Sequence, residues 1–71
     1  MACVRPDGSI TESARQMLET LRVPRTAEEA ASISGLPLFK VRSSLREMES
    51  SGLVIKVEER YKTTDLGLQR L

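Results

Sequence analysis

Two segments with helical periodicity are separated by only three residues, Gly35-Leu36-Pro37. Gly35 suits the left-handed conformation that commonly ends a helix, and Pro37 suits the first position of the next helix. A connection this short is about the length that a tightly turned pair of packed helices allows. We therefore predict one helix over about residues 27–34 and a second over residues 37–50.

Capping patterns mark where the first two helices begin. Thr26 followed by Glu29, and Ser9 followed by Glu12, both have the spacing of a capping box. After Ser9, apolar residues recur at helical spacing as far as Leu21, and Pro24 then prevents the helix from continuing. These signals predict a first helix that begins at Ser9 and a second that begins at Thr26.

The residues after Gly52 have the pattern of a hairpin. Leu53, Ile55 and Val57 alternate with more polar neighbours, which predicts a strand that buries those three side chains. Glu59-Arg60 is the predicted turn, and residues 61–63 return as the second strand of a hairpin over residues 53–63. The fold class is therefore α+β, mainly α, with three helices and a short C-terminal hairpin. We assign residues 9–71 to this domain and residues 1–8 to a flexible arm.

Composition excludes several classes of function. The chain has 71 residues, no histidine and a single cysteine, Cys3. A structural zinc site would then need mostly carboxylates, and no nucleophile–base pair or glycine-rich phosphate loop is present. We expect no enzymatic activity, no metal and no cofactor. One cysteine cannot form a disulfide within the chain, which fits the cytoplasm, and no apolar stretch is long enough to predict a membrane span.

Charge is distributed unevenly along the chain. The net charge is +1, from 11 basic and 10 acidic residues. Residues 37–62 carry six basic and four acidic residues, a balance of +2, so the remainder carries −1. The first two turns of the helix over residues 37–50 hold only basic charges. That end of the helix is therefore the more attractive one for an anionic partner.

Residues 26–67 resemble the winged helix-turn-helix family of transcription regulators. The matching stretches are Thr26-Ala-Glu-Glu-Ala-Ala31, Ser34-Gly-Leu-Pro37, Val41-Arg-Ser-Ser-Leu45, Arg46-Glu-Met-Glu-Ser-Ser-Gly-Leu-Val54 and Tyr61-Lys-Thr-Thr-Asp-Leu-Gly67. The resemblance implies a helix-turn-helix core with the hairpin as its wing. It also implies a transcriptional regulator or accessory domain that binds double-stranded DNA, with helix 37–50 in the major groove and hairpin 53–63 on the backbone.

Helical geometry selects the residues that would contact DNA. At about 100° per residue, Leu38, Val41, Leu45 and Met48 share one side of the helix, and we expect them to be core. The opposite side and its flanks carry Phe39, Lys40, Arg42, Ser43 and Arg46. Arginine and lysine bind guanine edges or phosphates, and serine binds either. The candidate DNA-binding residues are these five together with Lys56, Arg60 and Lys62 of the hairpin.

Plainer interpretations stay open for these residues. Arg42 and Arg46 would also serve as solvated helix charges, some paired with Glu49, and hairpin cations would also protect an edge strand from aggregation. The turn carries acids and no glycine, so its reach into a groove would be limited. The alternative function is a winged-helix protein–protein interaction module in a larger assembly. A protein partner or a homodimer, formed through the first helix and residues 66–71, is compatible with either function.

Overall fold

The computed structural model describes residues 9–71. The predicted flexible arm over residues 1–8, with Cys3, lies outside the described residues. The elements are α1 (Glu12–Thr20), α2 (Ala27–Ser34), α3 (Leu38–Ser50), β1 (Val54–Val57), β2 (Arg60–Thr63) and α4 (Asp65–Gln69). This order confirms the α+β fold, mainly helical, with three helices before the hairpin, and a short fourth helix follows the hairpin. No helix within residues 9–71 is long and apolar enough to cross a membrane.

Helix α2 begins and ends where its local sequence predicts. The Glu29 backbone N–H donates to the Thr26 hydroxyl at 3.1 Å, and the Thr26 N–H donates to the Glu29 carboxylate at 2.8 Å. Gly35 ends the helix with φ +74°, which costs a residue without Cβ little. Pro37 is the cap of α3 and not its first helical residue. The turn between α2 and α3 therefore has the predicted length.

The predicted start of α1 is wrong by two residues. The cap is Thr11, whose side chain accepts a hydrogen bond from the Ala14 N–H at 3.2 Å, and not Ser9. Ile10 lies directly before this cap and is buried at 7% exposure. With Thr11 as the cap, Ile10 stays outside the helix and its side chain packs in the core.

The three helices enclose one apolar core. Helix α3 contributes Val41, Leu45 and Met48, as its spacing predicts, whereas Leu38 at its start is only partly buried. Helix α2 contacts the core through alanines, which allow the helices to approach closely. The remaining core residues come from the first helix and its flanks, from α2 and from the start of the hairpin: Ile10, Ala14, Met17, Leu18, Leu21, Ala27, Ala30, Leu53 and Val54.

The predicted buried face of the hairpin is wrong. Leu53 is buried, but Ile55 and Val57 are 52% and 61% exposed. Leu53 still belongs to the link after α3, because its N–H donates to the Met48 carbonyl at 2.8 Å. The strand begins at Val54, and successive side chains point to opposite faces. Val54 therefore occupies the core face, while Ile55 and Val57 lie on the other.

The hairpin turn is also displaced from its predicted position. It consists of Glu58 and Glu59, and Arg60 already pairs with Val57 in the sheet. Glu58 has φ +59°, a left-handed conformation that a two-residue hairpin turn often needs and that usually favours glycine or asparagine. The turn is therefore formed by two acidic residues, one of them in a strained backbone conformation.

Strand β2 connects the hairpin to the helices. Its Tyr61 exchanges two backbone hydrogen bonds with Arg25, at 3.0 and 2.7 Å. The Thr63 N–H donates to the Leu21 carbonyl at 3.0 Å, and the buried Thr63 hydroxyl donates to the Leu18 carbonyl at 2.7 Å. Because β2 is bonded along both edges, the hairpin is held in a defined position beside α1 and α3.

Candidate nucleic-acid interface

The five candidate residues on α3 are all exposed. Phe39 is the extreme case, with 71% of its surface accessible, and Lys40, Arg42, Ser43 and Arg46 are also in the exposed class. None of these side chains is covered by the residues that the structure describes. The opposite side of the helix packs in the core, and Ser44, which the sequence pattern did not single out, is buried there too.

The α3 cations differ in their ion pairing. Arg42 lies 3.9 Å from the Glu28 carboxylate in the first turn of α2, and both side chains remain largely exposed. Among residues 9–71, Lys40 and Arg46 form no ion pair with an acidic side chain. The alternative pairing with Glu49 is therefore not formed there. An exposed pair such as Arg42–Glu28 is weak, typically 0–1 kcal/mol, so it is readily exchanged for another anion.

A charged groove separates α3 from the hairpin and the start of α2. It brings together three cations and three carboxylates, so its lining has no net charge. Arg46 and Lys56 lie in this groove beside Arg42, which makes them the candidate residues that the fold gathers most closely. The complete lining is Ala27, Glu28, Arg42, Arg46, Glu49, Lys56, Glu59 and Tyr61.

The hairpin places its three candidate cations on two faces. Lys56 pairs with Tyr61 across the strands, and its ammonium lies 5.7 Å from the centre of the tyrosine ring, within reach of a cation–π interaction. Lys62 and Arg60 pair with Ile55 and Val57 on the other face. The structure therefore groups Lys56 with the α3 cations and sets Arg60 and Lys62 apart from them.

Arg60 is held by the first turn of α2. Its guanidinium donates to the Glu29 carboxylate at 3.1 Å. A hydrogen bond from the Thr26 backbone N–H and the nearby charge of Arg60 hold the pKa of the Glu29 carboxyl below its ordinary value of 4.5. Glu29 thus both caps α2 and binds the hairpin.

The acidic partners are the part of this surface that sequence reasoning missed. Local sequence explains Glu28 and Glu29 simply as acids in the first turn of a helix, where the helix dipole favours negative charge. They also bind Arg42 and Arg60, which lie far away in the chain. The only sequence signal for these ion pairs was the presence of two acids shortly after the Thr26 cap, in the helix that precedes α3.

Comparison of the chain with known protein families, characterised proteins and solved structures gives no significant match. Residues 9–71 also contain no group of three histidine, cysteine, aspartate or glutamate side chains arranged to hold a metal ion.

Proposed function

We propose that this chain is a winged-helix domain that binds double-stranded DNA, with α3 docked in the major groove. The observation that carries the proposal is the α3 face, whose cations Lys40, Arg42 and Arg46 are all exposed. A major groove of B-DNA is about 12 Å wide and admits one α-helix. The proposal includes a role in transcription regulation, as a regulator or an accessory domain, in the cytoplasm.

Each α3 residue has a chemical role in the proposed complex. Arg46 has no acidic partner to release within residues 9–71, so its guanidinium is free to bind guanine bidentately or to hold a phosphate. Lys40 supplies a second cation at the leading end of the helix, and Ser43 supplies a hydroxyl. Phe39, apolar and exposed, suits contact with a thymine methyl group.

The hairpin supports the helix by contacting the DNA backbone. Lys56 adjoins Arg46 in the charged groove, so these two cations present a site for phosphates that flank the docked helix. Arg60 and Lys62 lie on the other face of the hairpin. They would contact DNA only if its phosphate backbone bends around the hairpin to that face. The acidic turn keeps the tip itself away from phosphate.

Amide shift mapping by NMR tests the proposal. A short duplex titrated at low salt should shift signals of α3 and of the hairpin. The double variant Lys40→Ala/Arg46→Ala should lose these shifts. The matched control is Arg15→Ala/Arg22→Ala, which removes the same charge from exposed positions on and just after α1.

Salt dependence provides a second measure. If three to five phosphates are neutralised, log affinity should fall with log salt at a slope of roughly −2.7 to −4.5. A folded protein whose spectrum does not change with DNA would contradict the proposal. Equal losses in the two double variants would contradict the assigned face, because affinity would then depend only on net charge.

A protein–protein interaction module is the second candidate function, favoured by exposed apolar side chains. Phe39, Ile55 and Val57 are each more than half exposed, and aromatic residues are enriched in protein interfaces. These side chains lie on α3 and the hairpin, so they would serve a protein partner without any anion. Retention of partner binding by Lys40→Ala/Arg46→Ala, with no shift on DNA addition, would favour this function.

A further inference from the structure

The Glu28 carboxylate sits where a phosphate bound to Arg42 would have to approach. It lies 3.9 Å from the Arg42 guanidinium and lines the same groove as Arg46 and Lys56. Both members of the pair are largely exposed, so the ion pair itself adds little stability. Nor does Glu28 cap α2, because Thr26 and Glu29 form the capping box.

We propose that Glu28 is a specificity-determining residue of the DNA site, an inference that rests on the proposed DNA-binding function. A phosphate that binds Arg42 must displace this carboxylate or stay close to it, and two like charges at short range repel each other. A guanine edge carries no net charge and offers Arg42 two acceptors. Glu28 therefore disfavours phosphate as the partner of Arg42 and leaves base-edge contact as the better choice.

The consequence is lower affinity for DNA in general and greater discrimination between sequences. Phosphate contacts supply nearly all sequence-independent affinity, whereas base-edge contacts supply the discrimination. With the carboxylate removed, Arg42 should bind the nearest phosphate in any duplex. The protein would then hold all duplexes more tightly and distinguish them less.

The variant Glu28→Gln tests this inference, with Glu12→Gln as its matched control. Glu12 is also an exposed first-turn acid, and it lies 3.9 Å from Arg15 on α1. Both variants remove one charge and weaken one helix-dipole interaction, so a difference between them reports on position alone. Fluorescence anisotropy with labelled duplexes rich in G·C or in A·T, at several salt concentrations, measures affinity and discrimination together.

We expect Glu28→Gln to bind both duplexes about three- to tenfold more tightly, from the released ion pair and the lost repulsion. The ratio of the two affinities should fall, and the salt slope should become steeper by about one unit. Glu12→Gln should change affinity less than about twofold. In an Arg42→Gln background, Glu28→Gln should have no more effect than Glu12→Gln.

Equal effects of Glu28→Gln and Glu12→Gln would overturn the role of Glu28 while leaving the DNA-binding proposal intact. So would weaker binding by Glu28→Gln, or an unchanged affinity ratio. Absence of binding to any duplex by the wild type and both variants, with circular dichroism spectra of folded proteins, would instead overturn the proposed function. The two failures are therefore distinguishable in one experiment.

Discussion

Thr63→Val should destabilise the protein although it preserves the shape of the side chain. The Thr63 hydroxyl is buried and donates to the Leu18 carbonyl at 2.7 Å. In a continuing helix the Arg22 N–H would bond that carbonyl, but here it donates to Glu19 at 3.3 Å. Valine would leave the Leu18 carbonyl buried without this partner, which costs about 1–3 kcal/mol.

The apolar methyl of valine offsets this loss by about 0.8 kcal/mol, so a net loss of about 0.2–2.2 kcal/mol remains, with a midpoint near 1.2 kcal/mol. In a domain of 60–100 residues each kcal/mol lowers Tm by roughly 4–8 °C, and we expect a decrease of about 5–10 °C at that midpoint. Thermal unfolding followed by circular dichroism measures it.

Thr20→Val is the matched control for this prediction. Thr20 also donates its hydroxyl to a main-chain carbonyl, that of Gln16 at 2.9 Å, but this hydrogen bond is exposed to solvent. Water replaces the lost partner there, and the change should stay within about 0.5 kcal/mol. Equal Tm values for wild type and Thr63→Val, or equal losses in the two variants, would refute the reasoning.

Two further changes test the packing and the electrostatics of the fold. Gly67→Ala should lower the free energy of unfolding in urea by about 2 kcal/mol, because the added Cβ would press on the Leu53 carbonyl oxygen. Gly35→Ala should cost only about 1 kcal/mol, because the site has open space and only its φ of +74° disfavours alanine. A Gly67→Ala protein as stable as the wild type would contradict the close approach. The pKa of Glu29 is lowered in the folded state, so its ionised form contributes stability above the ordinary value of 4.5 and loses it as the pH falls through the folded-state pKa. The stability advantage of wild type over Glu29→Gln should therefore shrink between pH 7 and pH 3, and an advantage that does not change with pH would exclude this role.

Local signals made the helices predictable. The Thr26 cap, the Gly35 terminus and the apolar spacing of α3 each depend on residues less than two turns apart. The structure reproduces the bounds of α2 and the end of α3 as predicted. The start of α1 differs because the capping-box spacing selects Ser9, whereas the observed cap is Thr11 and the residue between them, Ile10, is packed in the core.

The hairpin was predictable in kind but not in detail. Alternation identified a strand after Gly52. Which face of that strand is buried depends on how far the helical core extends, and a short stretch of sequence does not contain that information. Ile55 and Val57 are therefore exposed although their pattern is that of a buried face. The pairing of Glu29 with Arg60 joins residues 31 positions apart, and it follows from the docking of β2 against Arg25, not from local sequence.

The hairpin also limits how the proposed DNA complex can be arranged. Its turn is acidic, and Glu59 lines the charged groove, so insertion of the tip between phosphates would bring like charges together. Lys56 lies on the groove side with Arg42 and Arg46, while Lys62 lies on the opposite face. A duplex that receives α3 would therefore meet the groove side of the hairpin first. Affinity in the proposed complex should therefore depend mainly on the α3 cations and Lys56. The carboxylates of the groove, Glu28, Glu49 and Glu59, repel phosphate and so limit how strongly these cations bind the DNA backbone.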